Sequence, residues 1–156
     1  MKYLSVAIPC YNSQEYMAKA IESCLILKDD VEIIIVDDGS KDNTAQIGDE
    51  YVKQYPDTIK CIHQENGGHG QAVNTGLKNA TGLYFKVLDS DDWFDQSALV
   101  KVIETIKQLH QKADETMCMK NLVKINQVSL DIQMHYHKIE HLDGMMLNIS
   151  IHNKIY

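Results

Sequence analysis

The sequence contains no arginine: all 15 basic side chains are lysines, against 22 acidic ones, for a formal net charge of −7. An acidic chain without guanidinium groups is poorly suited to general nucleic-acid binding, because affinity for a phosphate backbone needs clustered cations. It also lacks the forked clamps that commonly hold phosphates, so a phosphorylated ligand would have to rely on a metal ion or backbone amides. No apolar run exceeds a few residues, which excludes a transmembrane helix. The stretch from Met1 to Pro9 is too short in apolar residues for a signal peptide and reads as a strand. Four cysteines, Cys10, Cys24, Cys61 and Cys118, are far apart with no C-x-x-C pair. That excludes a zinc ribbon and a small disulfide scaffold, and reduced thiols in a cytoplasmic protein are expected.

What is present is ordinary for one folded domain: 156 residues, 44% hydrophobic and 24% charged. The first 112 residues alternate between two periods. Residues 3–9 form an apolar strand ended by Pro9. Met17, Ala20, Ile21, Cys24 and Leu25 then share one helical face. Residues 31–36 (VEIIIV) read as a strand buried on both sides. A helix capped near Asp42 to Thr44 carries Ile47, Tyr51 and Tyr55 on one side and ends at Pro56. A strand over 58–63, a glycine-rich loop, a helix over 71–80 and a strand over 83–88 follow. The last strong helix spans 96–111, with Leu99, Val102, Ile103, Ile106 and Leu109 inward. Such alternation predicts right-handed crossovers and a mostly parallel α/β sheet covered by helices. Further on, Val128, Leu130, Ile132, Met134 and Tyr136 alternate strictly, which predicts a short antiparallel extension. Residues 144–156 fit a strand or a helix start equally.

Ligands of an open parallel sheet bind outside the carboxyl ends of its strands, and the polar residues of this chain collect there. Pro9, Tyr11 and Asn12 follow the first strand; Asp37, Asp38, Gly39 and Ser40 follow the second. Glu65, Asn66, Gly67, Gly68, His69 and Gly70 follow the third, and Asp89, Ser90, Asp91 and Asp92 the fourth. With Asp95, the last group packs four carboxylates into seven residues with no lysine among them. Like charges this close repel unless a cation is bound, and Mg²⁺ or Mn²⁺ would suit one or two carboxylates completed by substrate phosphates. A plainer reading is an acidic loop with a helix cap at Asp95. Asp-Gly is likewise a routine turn, yet a carboxylate at that strand end could accept a base N–H, with Tyr11 as a flat face for the base. The 66–70 run allows close backbone approach and could aim helix amides at a diphosphate. It matches neither a P-loop nor G-x-G-x-x-G. His69 reads as a loop polar group, and His135, His137 and His141 as surface positions.

Pro9-Cys10-Tyr11-Asn12, Val36-Asp37-Asp38-Gly39-Ser40, Asp42-x-Thr44, Glu65-Asn66-x-Gly68, Ala72-x-Asn74-x-Gly76 and Leu88-Asp89-Ser90-Asp91-Asp92 follow one another in this order. In order and spacing they resemble glycosyltransferase family 2 over residues 3–112. The resemblance implies a GT-A (Rossmann-like) fold with helices on both faces of the sheet. It implies a nucleotide-sugar-binding core over 1–112, and over 113–156 the start of an acceptor-side region. It also implies inverting, metal-dependent transfer from a UDP-sugar, or another nucleotide sugar, to a saccharide or lipid-linked acceptor in cell-surface glycan synthesis. Carried over by position, Pro9 and Tyr11 flank the base, Asp38 reads the uracil edge, and Asn12, Gly68, Asn74 and Ser90 complete the donor site. Asp91 stands nearest the Mn²⁺ or Mg²⁺ and Asp89 nearer the ribose or donor sugar, with Asp92 as an alternative ligand. Such a metal would stabilise charge on the departing diphosphate, while a carboxylate base deprotonates the acceptor. The implied setting is cytoplasmic, at the inner face of the membrane if the full-length protein associates peripherally; a homodimer is compatible with it.

The chain departs from the family pattern in its second part. Only 64 residues follow Asp92, no Glu-Asp dipeptide occurs, and a Gln-x-x-Arg-Trp element is impossible without arginine. Asp114, Asp131, Glu140 and Asp143 are loose candidates for the base, and the chain is expected to be part of a longer protein. Three other readings remain. A haloacid-dehalogenase phosphatase would carry D-x-D after the first strand rather than the fourth. A response-regulator receiver would place its Asp pair after the first strand and a phosphoacceptor after the third. A nucleotide-binding module without catalysis needs no base at all.

Overall fold

The computed structural model describes residues 1–115, with side chains through residue 111. Four strands and four helices alternate: β1 (Leu4–Cys10), α1 (Met17–Leu25), β2 (Val31–Asp37), α2 (Thr44–Gln54), β3 (Ile59–His63), α3 (His69–Asn79), β4 (Tyr84–Val87) and α4 (Gln96–Glu115). The strands form one all-parallel sheet in the order β3-β2-β1-β4. This is the α/β architecture expected from the alternation. The antiparallel strand over 128–136 and the 144–156 segment lie outside the described residues. α4 itself runs through the boundary placed after residue 112.

Strand order dictates helix placement. From β1 to β3 the chain steps one way across the sheet, and from β3 to β4 it returns past β2 and β1. With right-handed crossovers, α1 and α2 therefore cover one face and α3 the other. The core divides accordingly. Val6, Ile8, Ile33 and Ile35 join Met17, Ile21, Leu99 and Ile103 on one face, while Ile34, Val36 and Ala72 pack on the other. β1 and β2 are buried along their whole length, which explains why VEIIIV shows no polar alternation. On the α3 face the fit is close: a Cβ at Gly76 would stand 2.6 Å from Ala7 Cβ. Leu109 departs from expectation. It is 48% exposed, because the buried stripe of α4 ends at Ile106 and the helix continues beyond it.

A second polar site lies at the amino-terminal rim of the sheet. Glu32 is buried, and its carboxylate accepts hydrogen bonds from Ser5 Oγ, the Thr81 amide, the Gly82 amide (3.0 Å) and Lys60 Nζ (3.1 Å). Burial favours the neutral acid there, but the bonds from Ser5, Thr81 and Lys60 outweigh it and hold the Glu32 pKa below the usual range. No helix among the described residues is long and apolar enough to cross a membrane.

Candidate functional site

The adjacent aspartates that end β2 point to opposite faces, as successive strand residues must. Asp37 turns toward α2, where its Oδ1 accepts the Ser40 amide (3.0 Å) and its Oδ2 lies 3.1 Å from His63 Nδ1. Asp38 turns toward α3 and is 3% exposed. Its Oδ1 accepts Gln64 Nε2 (2.7 Å) and the Gly67 amide (2.9 Å), and its Oδ2 accepts the Gly68 amide (2.8 Å). Burial works against this ionised group, but the bonds from Gly67, Gln64 and Gly68 prevail and its pKa lies below the ordinary value. Gln64 in turn accepts from Thr75 Oγ1 at 2.6 Å, so one carboxylate fastens the 64–68 loop to both β2 and α3. Gly68, at φ 84°, is the cap residue of α3. Only a residue tolerating that backbone can swing the chain from the loop straight into the helix. The helix therefore starts at His69, two residues before the expected position, and Gly70 falls in its first turn.

Beneath that first turn lies a cleft of about 340 Å³ lined by Pro9, Cys10, Tyr11, Asp38, Asn66, Gly68, His69 and Ala72. Its volume is at the lower end of small-molecule sites. Of the residues expected at the donor site, Pro9, Tyr11, Asp38 and Gly68 line it. Tyr11, at its edge, is 48% exposed. Asn12, in the left-handed region at φ 52°, is engaged in joining two loops: its amide donates to Ser40 Oγ (2.9 Å) and its Oδ1 accepts the Lys41 amide (2.8 Å). Ser90 is tied to the β1 loop through Ser13, Oγ to Oγ at 2.9 Å. Asn74 is exposed on α3, away from the lining residues. Sequence reasoning singled out neither Gln64, Ser13 nor Thr75, whose partners here lie 11 to 77 positions away.

The aspartates after β4 approach the same cleft. Asp89 Oδ1 lies 3.8 Å from His69 Nε2, both side chains being well exposed, which sets the acidic loop beside the α3 turn. Asp95 belongs to α4 instead, where its Oδ1 accepts the Ala98 amide (2.8 Å) and Ser97 Oγ (2.6 Å) as a helix cap. Burial and the charges of Asp91 and Asp89 raise the Asp92 pKa. Lys86, on β4, relieves the crowding in part; its own pKa is lowered by burial against the pull of Asp89 and Asp92. Among the described residues, the three loop carboxylates do not converge to within 4.8 Å as a complete ligand set. The donor set is nevertheless all hard oxygen and crowded with like charge, with Asp89 and Asp91 exposed and Asp92 partly buried. That fits Mg²⁺ or Mn²⁺ held by one or two carboxylates with phosphate oxygens completing the shell. Asp114 falls on the last turn of α4, beyond the described side chains; Asp131, Glu140 and Asp143 lie outside the described residues.

Comparison with known proteins agrees with this geometry. The family model "Glycosyl transferase family 2" matches residues 5–148. The minor teichoic acid biosynthesis protein GgaA of Bacillus subtilis is 41% identical over 106 residues, 64% of this chain and 24% of that one. The crystal structure of S. aureus TarS 1–349 in complex with UDP-GlcNAc superposes with a TM-score of 0.62 at 33% identity, covering 70% of this chain and 32% of that one. The mannosyltransferase PcManGT of Pyrobaculum calidifontis, in complex with GDP-Man and Mn²⁺, has a TM-score of 0.55 at 25% identity, covering 65% and 31%. The chain spans between 16% and 38% of the length of the first curated relatives it matches.

Proposed function

The chain belongs to glycosyl transferase family 2, and from that premise we propose that it is the donor-binding part of a transferase. In this proposal the whole protein moves a sugar from a nucleotide-diphosphate sugar to a saccharide or lipid-linked acceptor in cell-surface glycan synthesis. One observation carries the reading. The Tyr11-lined cleft, the first turn of α3 and the Asp89–Asp92 loop meet at one edge of the sheet, linked by His69 and Asp89. We favour a uridine nucleotide, because the TarS neighbour that holds UDP-GlcNAc is more similar in sequence than the one that holds GDP-Man.

In this reading Pro9 and Tyr11 flank the base. A carboxylate offers about four acceptor positions; protein donors fill three on Asp38, leaving one on Oδ2 for a base N–H. The amides of His69 and Gly70 lack intrahelical acceptors and face an anion with the positive end of the helix. A Cβ at Gly70 would meet no protein atom within 4 Å, so its bareness serves approach from outside. Asn12 and Ser90 position loops, through Ser40, Lys41 and Ser13. Asp91 and Asp89 would hold Mn²⁺ or Mg²⁺, whose chemistry is to neutralise charge on the diphosphate. Inverting transfer further requires a carboxylate to deprotonate the acceptor hydroxyl; the cleft residues supply the donor side alone.

The test is thermal shift with UDP, GDP and CDP, each with and without Mn²⁺. UDP with Mn²⁺ should raise the midpoint most, and no shift with any nucleotide would overturn the proposal. A shift without donor turnover by the full-length protein would favour a nucleotide-binding module instead.

A further inference from the structure

On the opposite side of β2 from the cleft, we propose that Asp49, Cys61 and His63 form a zinc site. Their donor atoms all lie within 4.8 Å of one another, and Asp49 Oδ1 stands 3.1 Å from His63 Nε2. A tetrahedral zinc shell with bonds of about 2.0–2.3 Å sets its donors about 3.3–3.6 Å apart. The oxygen and nitrogen already have nearly that spacing, and the thiol sulfur lies within 4.8 Å of both. Cys61 and His63 are two apart on β3 and so share a face; Asp49 comes from the helix packed on that face. Gly48 makes room, since a Cβ there would stand 2.5 Å from Cys61 Sγ.

The orienting group beyond the ligands is also in place. His63 Nδ1 lies 3.1 Å from Asp37 Oδ2, whose side chain is 6% exposed. The other Asp37 oxygen is fixed by the Ser40 amide. A carboxylate on Nδ1 sets the tautomer with the proton there and the lone pair on Nε2, which is how metal-bound histidines are commonly held. Sulfur, nitrogen and oxygen together suit borderline-soft zinc, unlike the all-oxygen loop after β4. Binding forms the Zn–S bond as the Cys61 thiol proton leaves to solvent. Thiolate and Asp49 then neutralise the ion. Asp49 and His63 are 55% and 44% exposed, so the fourth position opens to water. The ion would fasten α2 to β3 behind the strand ends that carry Asp38 and Gln64. Nothing in this site depends on the donor-binding reading.

The test titrates the whole chain with Co²⁺ in the absence of nucleotide, then displaces it with Zn²⁺. One Co²⁺ per chain should bind with tetrahedral visible bands and a thiolate-to-cobalt charge-transfer band. Cys61→Ser should abolish the charge-transfer band. Asp49→Asn, at an exposed helix position, should weaken binding at least tenfold with circular dichroism unchanged. Asp37→Asn should weaken it about 10- to 100-fold. Absence of saturable binding would leave His63 as a bridge between two carboxylates and overturn the site. So would a charge-transfer band that survives Cys61→Ser, which would place the ion on other ligands. Oxygen ligation at Asp89 and Asp91 gives no such band, so the two metal assignments fail separately.

Discussion

The two rims of the sheet each carry carboxylate charge with a lysine nearby, and they resolve it in opposite ways. At the amino-terminal rim a single carboxylate, Glu32, is buried and receives four donors, Lys60 among them. At the carboxyl-terminal rim Asp89, Asp91 and Asp92 crowd together around one half-buried lysine, and burial with mutual repulsion raises the Asp92 pKa. The first arrangement is complete without any further group. The second would be relieved by a bound cation. Opposite charge paired inside the fold holds it together, and like charge crowded at an exposed rim is where a cation would be accommodated.

Breaking the satisfied rim should have the largest effect. Glu32→Ala leaves buried donors without an acceptor and should lower stability by about 3 kcal/mol, read by urea unfolding. The UDP affinity of the folded protein should stay within about twofold, on the same argument that distant sites act independently; a parallel loss of binding would erase the contrast between the rims. The pH dependence has a definite sign. Because the folded pKa of Glu32 is lowered, its stabilisation is present above the unfolded value of about 4.3. It is lost as pH falls through the folded value. Acid unfolding of Glu32→Gln should accordingly show a shallower limb than that of the parent.

Asp38 combines both characters, which makes it the sharper probe. Asp38→Asn should cost about 2 kcal/mol of stability, since an amide cannot accept from Gln64, Gly67 and Gly68 together. In the folded fraction it should weaken UDP more than inorganic diphosphate. Equal losses by calorimetry would reduce Asp38 to a loop anchor. Asp91→Ala should follow with a tenfold or greater loss of Mn²⁺-dependent UDP affinity, about 1.4 kcal/mol or more, and an unchanged thermal midpoint without ligand. Equal affinity would remove Asp91 from the metal.

How far the sequence carries depends on whether a feature is local. VEIIIV announces a central strand because burial on both faces leaves no alternation, and Asp89-Ser90-Asp91-Asp92 announces a rim loop because it directly follows one. The Asp95 cap is equally local. The partners of Asp38 are not: Gln64, Gly67 and Gly68 lie 26 to 30 residues on, and no spacing rule links them. Ser5, Glu32 and Gly82 meet only because β1 lies between β2 and β4. Cysteine spacing gave no hint of Cys61 beside Asp49, because a strand pair of ligands two apart is completed by a helix that precedes it. Leu109 fails differently. Helical periodicity marks a face but cannot say where the surface it packs on ends.

The smallest expected effect tests the excess charge most directly. A raised pKa means that the folded state disfavours the ionised form of Asp92, so at neutral pH this carboxylate works against the fold. That penalty is present above the folded pKa and absent below the unfolded value of about 3.9. Asp92→Asn should therefore raise stability at pH 7, without metal, by about 0.5 kcal/mol, the scale of partly exposed charge pairs. The gain should vanish below about pH 4, where the parent is itself protonated. Saturating Mn²⁺ with UDP should erase or reverse it, because the parent then has a cation to offset the carboxylate. A gain that survives both acid and metal would trace to side-chain packing, and the acidic loop would no longer count as charge held in waiting for a ligand.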